Sequence, residues 1–259
     1  MSPVVDQCLD PEGILIITLN RPEKLNALNH EVLQQLRGML AQAKTDTSVK
    51  AILITGNGKA FCAGADIQRL LACDANLGYQ FACEGQAVFE AFTALGKPSV
   101  AAVNGYAFGG GCELSMATTL RIAVMTAQFG QPEVKLGVIP GYGGTQRLAR
   151  LIGKGRALEL CLTGKFIDAM TALQWGLINE IVAANDLVRR GKELLHLILA
   201  MGPLAVASII EVIEHGYDLP LTDALQLEAL HFAKVCASKD KNVGVQAFLD
   251  KRQPQFIGE

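Results

Sequence analysis

Three glycine-rich stretches carry the residues best suited to chemistry: FCAGADI (61–67), NGYAFGGGCEL (104–114) and FGQPEVKLGVIPGYGGTQR (129–147). In the second, Asn104-Gly105 turns the chain out of an apolar run, and Gly109, Gly110 and Gly111 open a helix. The first amides of a helix have no intrahelical partner and carry partial positive charge. Three residues without side chains leave those donors accessible, and a developing oxyanion is a suitable guest. The first stretch has the same order: a strand, a short turn, Ala63-Gly64-Ala65, then Asp66 at the start of the next helix. Two such junctions on adjacent parallel strands would aim one N–H each at a single oxygen, as thioester enolate chemistry requires.

Two glutamates accompany these loops. Taken alone, Glu113 is an acid favoured in the first turn of a helix, and Glu133, in Gln131-Pro132-Glu133, is a solvated loop acid. Together, beside a candidate oxyanion site, they form a candidate acid/base pair acting on one substrate. A nucleotide site fails on spacing. There is no GxxxxGK[ST], and no strand is followed by GxGxxG with an acid about twenty residues later.

The elements that must position these residues follow from the apolar runs. ILIITL (14–19), AILIT (51–55), SVAAV (99–103) and LRIAV (120–124) have strand length and no polar alternation, so both faces of each should be covered. Helical stretches lie between them: Asn29 is an N-cap, followed by Leu33, Leu36, Leu40 and Ala43 at helical spacing. The class is α/β with parallel pairing. After about residue 145 the chain reads as helices, with Asp168 as a cap and Gly164 and Gly176 as stops. Leu194–Ile210 is broken by Gly202-Pro203 and reads as two core helices, not a membrane span. Leu221, Leu225, Ala229, Phe232 and Cys236 form a helical stripe that should pack on the chain's own body or on a neighbouring subunit. A soft boundary near residue 200 separates a catalytic core, 1–200, from a helical C-terminal region, 201–259.

The 259 residues carry 23 Lys and Arg against 25 Asp and Glu, a net charge of -2, which argues against affinity built on phosphate neutralisation in nucleic acids. Seven scattered cysteines without a CxxC pair, and four separated histidines, argue against a zinc site from adjacent ligands. Cys62 and Cys112 have no histidine partner nearby in sequence, so neither is a nucleophile. The opening MSPVVDQCLDPEG lacks the apolar region of a secretory signal, and cytoplasm is the expected location.

AFCAGADI, VNGYAFGGGCELSMATTLRIAV, AQFGQPEVKLGVIPGYGGTQRL and the early LNRPEKLNALN resemble the crotonase, or enoyl-CoA hydratase, superfamily over essentially the whole chain. The resemblance implies a spiral of ββα units followed by a C-terminal all-helical trimerisation region, and a homotrimer or a hexamer built as a dimer of trimers. It implies an acyl thioester of coenzyme A as substrate, with no separate cofactor, metal, nucleic acid or membrane. It assigns the oxyanion donors to Ala65 and Gly110 and the catalytic acids to Glu113 and Glu133. The implied reaction is syn hydration of a trans-2-enoyl-CoA, with Glu113 as base toward water and Glu133 handling the proton at C2. More loosely, Gly141 helps arrange the second glutamate and the water, and Gln131 tunes Glu133. Ala63 and Ile67 border the adenine, and Lys24 and Ala27 lie near the nucleotide end. Gly64, Asp66 and Gly109 complete the substrate-binding loops, and Lys251 reaches a neighbouring subunit's ligand. Two roles stay open for Tyr142, narrowing the acyl pocket or facing outward. Tyr106 and Phe108 either line the acyl channel or pack in the core. Segment 72–85 shapes chain-length preference. The residues also leave open a double-bond isomerisation on the same scaffold, and a non-catalytic acyl-CoA binder.

Overall fold

The computed structural model describes residues 3–259, with the side chains of Gln68 and Arg69 outside the description. Six strands form the larger sheet: β1 (Val5–Leu9), β2 (Ile14–Leu19), β3 (Ala51–Gly56), β5 (Ser99–Val103), β7 (Leu120–Val124) and β10 (Glu180–Val182), in the order β1-β2-β3-β5-β7-β10. β1 is antiparallel to β2 and every other neighbour pair is parallel. The four runs read from sequence are the four central strands. Ile14, Ile17, Leu53 and Val100 are fully buried, as strands covered on both faces must be.

A second sheet holds β4 (Ala60–Cys62), β6 (Tyr106–Phe108), β8 (Gln128–Gly130) and β9 (Phe166–Asp168). β4, β6 and β8 run parallel, and β9 closes the edge antiparallel. The chain therefore places one strand in each sheet and returns through helix, turn after turn: β3–β4, β5–β6, β7–β8. This is the expected ββα spiral. Two features differ from the sequence reading. Short strands β4 and β6 lie between the long strands and the glycine loops, and β9 and β10 interrupt the helical stretch after residue 145.

The helices are α1 (His30–Thr45), α2 (Ile67–Leu71), α3 (Ala75–Thr93), α4 (Gly110–Met116), α5 (Gly144–Ile152), α6 (Lys154–Thr163), α7 (Ala169–Trp175), α8 (Leu187–Leu199), α9 (Pro203–Gly216), α10 (Leu221–Cys236) and α11 (Lys239–Leu249). Asn29 caps α1 by accepting from the Val32 amide, and Asp168 caps α7 through the Thr171 amide. α8 lies on the larger sheet so closely that a Cβ at Gly191 would stand 2.6 Å from Leu53 Cδ1.

α9 is not the core helix expected, since Ile209 and Ile213 are exposed and only Ser208 and Gly216 are buried. In α10 the predicted stripe faces outward, with Leu221 74% and Phe232 71% exposed. The face toward α9 is the one carrying Ala224 and Leu227, which approach Gly216. No single helix among the described residues is long and apolar enough to cross a membrane.

Candidate active site

The two glycine loops meet where β4 and β6 run side by side. After β4, the Ala63 amide donates to Leu25 O and the Asp66 amide to Leu28 O, while Gly64 O accepts from the Leu28 amide. Among the described residues the Ala65 amide has no backbone acceptor. After β6, the Gly109 amide donates to Gly130 O, and the first helical bond of α4 runs from the Glu113 amide to Gly109 O. The Gly110 amide is left without a protein acceptor among the described residues. A Cβ at Gly110 would lie 3.4 Å from the Ala65 nitrogen, so the two unclaimed amides border one space.

The glycine triplet follows from this geometry. Gly109 has φ +49° and ψ −122°, a conformation disfavoured for residues with side chains, and a Cβ there would stand 2.4 Å from Glu133 Oε1. A Cβ at Gly111 would strike Cys62 O at 1.9 Å, so only glycine lets α4 lie this close to β4.

Glu113, in the first turn of α4, is fully buried, and its Oε1 accepts from the Tyr142 amide at 2.8 Å and the Gly144 amide at 2.6 Å. Glu133 opens a 3-10 turn (Glu133–Leu136) and is half-buried. Gln131 is fully buried beside it. With its amide nitrogen toward Glu133, it donates to both carboxylate oxygens at 3.2 Å. Burial first, and then repulsion from Glu133, push the Glu113 carboxyl up to about 8, against the pull of the Gly144 and Tyr142 amides. Burial pushes Glu133 up to about 7. Because the charges repel, whichever carboxyl ionises second carries the repulsion, and near neutral pH the pair holds about one proton between them. One acid and one base then coexist, which is what addition or removal of water demands.

Ala65, Gly110, Glu113 and Glu133 line a single cavity of about 790 Å3. Its remaining walls are largely apolar, with Phe81 and Ala82 from α3 and Val138 and Tyr142 from the loop before α5. Tyr142 faces inward. It is 1% exposed and lies between Phe81, at 5.1 Å, and Phe89, at 5.5 Å. Tyr106 instead stacks on Phe108, which packs against Phe166, and neither Tyr106 nor Phe108 is in the cavity lining.

Gly141 lines the cavity, but its carbonyl accepts from Gln86 Nε2 at 2.8 Å. In this loop the amides that hold a carboxylate belong to Tyr142 and Gly144, and they hold Glu113, where the sequence reading had Gly141 arranging Glu133. Gly144 carried no sequence signal beyond its place in a glycine-rich turn. A side chain there would meet Glu113 Oε1 at 2.9 Å. Gln86 lies mid-helix and carried none.

Lys24, Ala27, Ala63, Gly64, Asp66 and Ile67 do not line the cavity; they form a rim continuous with Ala65. Arg21 ties that rim together, donating to Ala27 O at 2.6 Å and pairing with Asp66 at 3.6 Å. Lys24 is exposed in a 3-10 turn (Pro22–Lys24) and Ile67 is 60% exposed. Burial pushes the Cys62 thiol up to about 12 and that of Cys112 also far up, so both are inert thiols. A group of Asp10, Glu12 and His196 has metal-ligand character, yet Lys192 Nζ lies 2.7 Å from Asp10 Oδ2 and already supplies the positive charge.

Residues 10–259 match the enoyl-CoA hydratase/isomerase family. The chain belongs to that family. It is 42% identical over 241 residues to the probable enoyl-CoA hydratase echA8 of Mycobacterium tuberculosis, covering 93% of each chain. It is 40% identical over 247 residues to the short-chain-enoyl-CoA hydratase of Clostridium acetobutylicum, covering 95% of each. The enoyl-CoA hydratase of Bacillus anthracis has the same fold, with a TM-score of 0.94 and 37% identity over 99% of this chain and 100% of that one.

Proposed function

We propose that this family member is an enoyl-CoA hydratase, adding water reversibly and syn to a trans-2-enoyl-CoA to give a 3-hydroxyacyl-CoA in fatty-acid or related acyl-CoA breakdown. One observation carries the reading: two unclaimed amides and two carboxyls with raised pKa border the same apolar cavity. The thioester oxygen accepts from the Ala65 and Gly110 amides, and each donor is worth about 10²–10³ in turnover as negative charge builds on that oxygen. The two carboxyls share one proton, and the reactive form is the one with that proton on Glu133: ionised Glu113, its Oε1 held by two amides, takes a proton from water as the water oxygen bonds to C3. Protonated Glu133 gives its proton to C2. The atoms of one water are thus added, the proton left on Glu113 passes back to Glu133 to reset the pair, and dehydration runs the same steps backward. The rim from Lys24 to Ile67 is assigned to the coenzyme A portion, which enters as part of the substrate, so the chemistry requires no other cofactor.

Assembly as a homotrimer, or as a dimer of trimers, belongs to the same proposal. Leu221, Leu225 and Phe232 form an exposed apolar stripe along α10 that a neighbouring subunit would cover, and Phe248 on α11 is exposed as well. Sedimentation at equilibrium tests the assembly. The activity is tested by incubating the purified protein with crotonyl-CoA. Loss of the conjugated enoyl absorbance with formation of 3-hydroxybutyryl-CoA is expected; binding without turnover across a panel of enoyl-CoAs would refute the assignment.

A further inference from the structure

We infer that the Tyr142 ring, seated in a notch at Gly85, is the wall that limits the acyl group and makes the preferred substrate a short-chain 2-enoyl thioester. This rests on the hydratase reading and adds to it a residue that sets substrate size. Gly85 is buried on α3, and a Cβ there would stand 2.2 Å from Tyr142 Cδ1 and 2.3 Å from Cε1. The ring therefore lies on bare helix backbone. Phe81 and Phe89, one turn to either side of Gly85, flank it. Its opposite edge is equally defined, with Cδ2 3.3 Å from where a Gly110 Cβ would stand. The ring thus fills the gap between α3 and the amide assigned to the thioester oxygen.

This wall has no room to swing aside. The Tyr142 amide holds Glu113, and Gln86 Nε2 fastens the neighbouring Gly141 carbonyl to α3. An acyl tail has apolar cover from Phe81, Ala82 and Val138, but it cannot run deeper than the ring. A longer tail must turn toward solvent past Ile139, which is 76% exposed. Each methylene left in water forgoes a gain of about fourfold in binding. The energetic return on chain length therefore stops early.

The test is kcat/KM for crotonyl-CoA and for trans-2-octenoyl-CoA with the wild type, Tyr142→Phe, Tyr142→Ala and Ala82→Leu. Tyr142→Phe keeps the ring and should keep the octenoyl-to-crotonyl ratio within about twofold. Tyr142→Ala opens the wall and should raise that ratio by about tenfold or more, roughly the value of two further buried methylenes. Ala82→Leu adds bulk on the same side of the cavity and should lower the ratio, which keeps the inference testable should Tyr142→Ala fail to fold. An unchanged ratio in Tyr142→Ala, or in Ala82→Leu, with crotonyl-CoA still turned over, overturns the wall. A wild type inactive on every enoyl-CoA overturns the hydratase reading instead.

Discussion

Adding one methyl group at Gly85 or at Gly38 should move stability in opposite directions. Both glycines lie inside long helices, α3 and α1, where glycine costs about 1 kcal/mol relative to alanine. Gly38 is exposed, and a Cβ there meets nothing within 4 Å. Gly38→Ala should therefore gain about 1 kcal/mol. At Gly85 the new Cβ would stand 2.2 Å from the Tyr142 ring, whereas ordinary contact begins at 3.4 Å. The ring must withdraw by about 1.2 Å (3.4 minus 2.2), yet Phe81, Phe89 and Gly110 close off the space around it. Overpacking of this kind costs about 1–3 kcal/mol. Disturbing the Tyr142 amide on buried Glu113 adds about 1–3 kcal/mol. These costs exceed the helical gain of about 1 kcal/mol and leave Gly85→Ala less stable by about 1–5 kcal/mol. At about 2–4 °C per kcal/mol for a chain of this size, calorimetry should find Gly38→Ala melting a few degrees above the wild type and Gly85→Ala several degrees below it. Hydratase turnover should persist in Gly38→Ala and fall in Gly85→Ala. Equal melting temperatures with full activity in both variants would refute the seating of Tyr142 and its tie to Glu113.

Three further outcomes follow. kcat/KM should trace a bell against pH with limbs near 7 and 8 and a narrow maximum between them, because the pair is inactive with two protons and inactive with none. Glu113→Gln should stabilise the protein at pH 9 by a few kcal/mol and much less at pH 5, read from urea unfolding at the two values. The native pair binds its protons more tightly than the unfolded chain does, so wild-type stability falls as pH rises from about 4.5 toward 8, and the variant, with one buried acid fewer and no repulsion between two charges, escapes most of that loss. Asn26→Ala should cost about 2–4 kcal/mol and raise KM for enoyl-CoA more than it lowers kcat. Asn26 is buried at φ +58°, donates to Asn57 O and Ala60 O and accepts from the Arg21 amide, and so fastens the rim loop to β4.

What the sequence made legible tracks how local the cause is. The four central strands were readable because each is an apolar run buried on both faces, a property of five or six consecutive residues. β4, β6 and β8 span three residues each, too short for any periodicity, and they lie against glycine loops that read as turns. β1 is a mostly exposed edge strand with polar residues, defined by its pairing with β2 and not by its own pattern. The exposed stripe on α10 shows that an apolar face in sequence does not say what covers it. In the site, Glu113, Glu133, Ala65 and Gly110 stood out because glycine loops and acids recur in a fixed order. The groups that hold them did not. The amides on Glu113 come from 29 and 31 residues further along, and Gln86 reaches Gly141 across 55 residues. Only the folded chain brings them together.

The central claim is that two carboxyls flank one thioester and share one proton. Crotonyl-CoA turnover by Glu113→Gln, Glu133→Gln and the double variant measures it most directly. Each single change should cost about 10²–10⁴ in kcat, and the double should lose little more than either one, as groups acting as a unit do. A single variant that keeps near wild-type turnover, or losses that simply multiply in the double, would contradict the account.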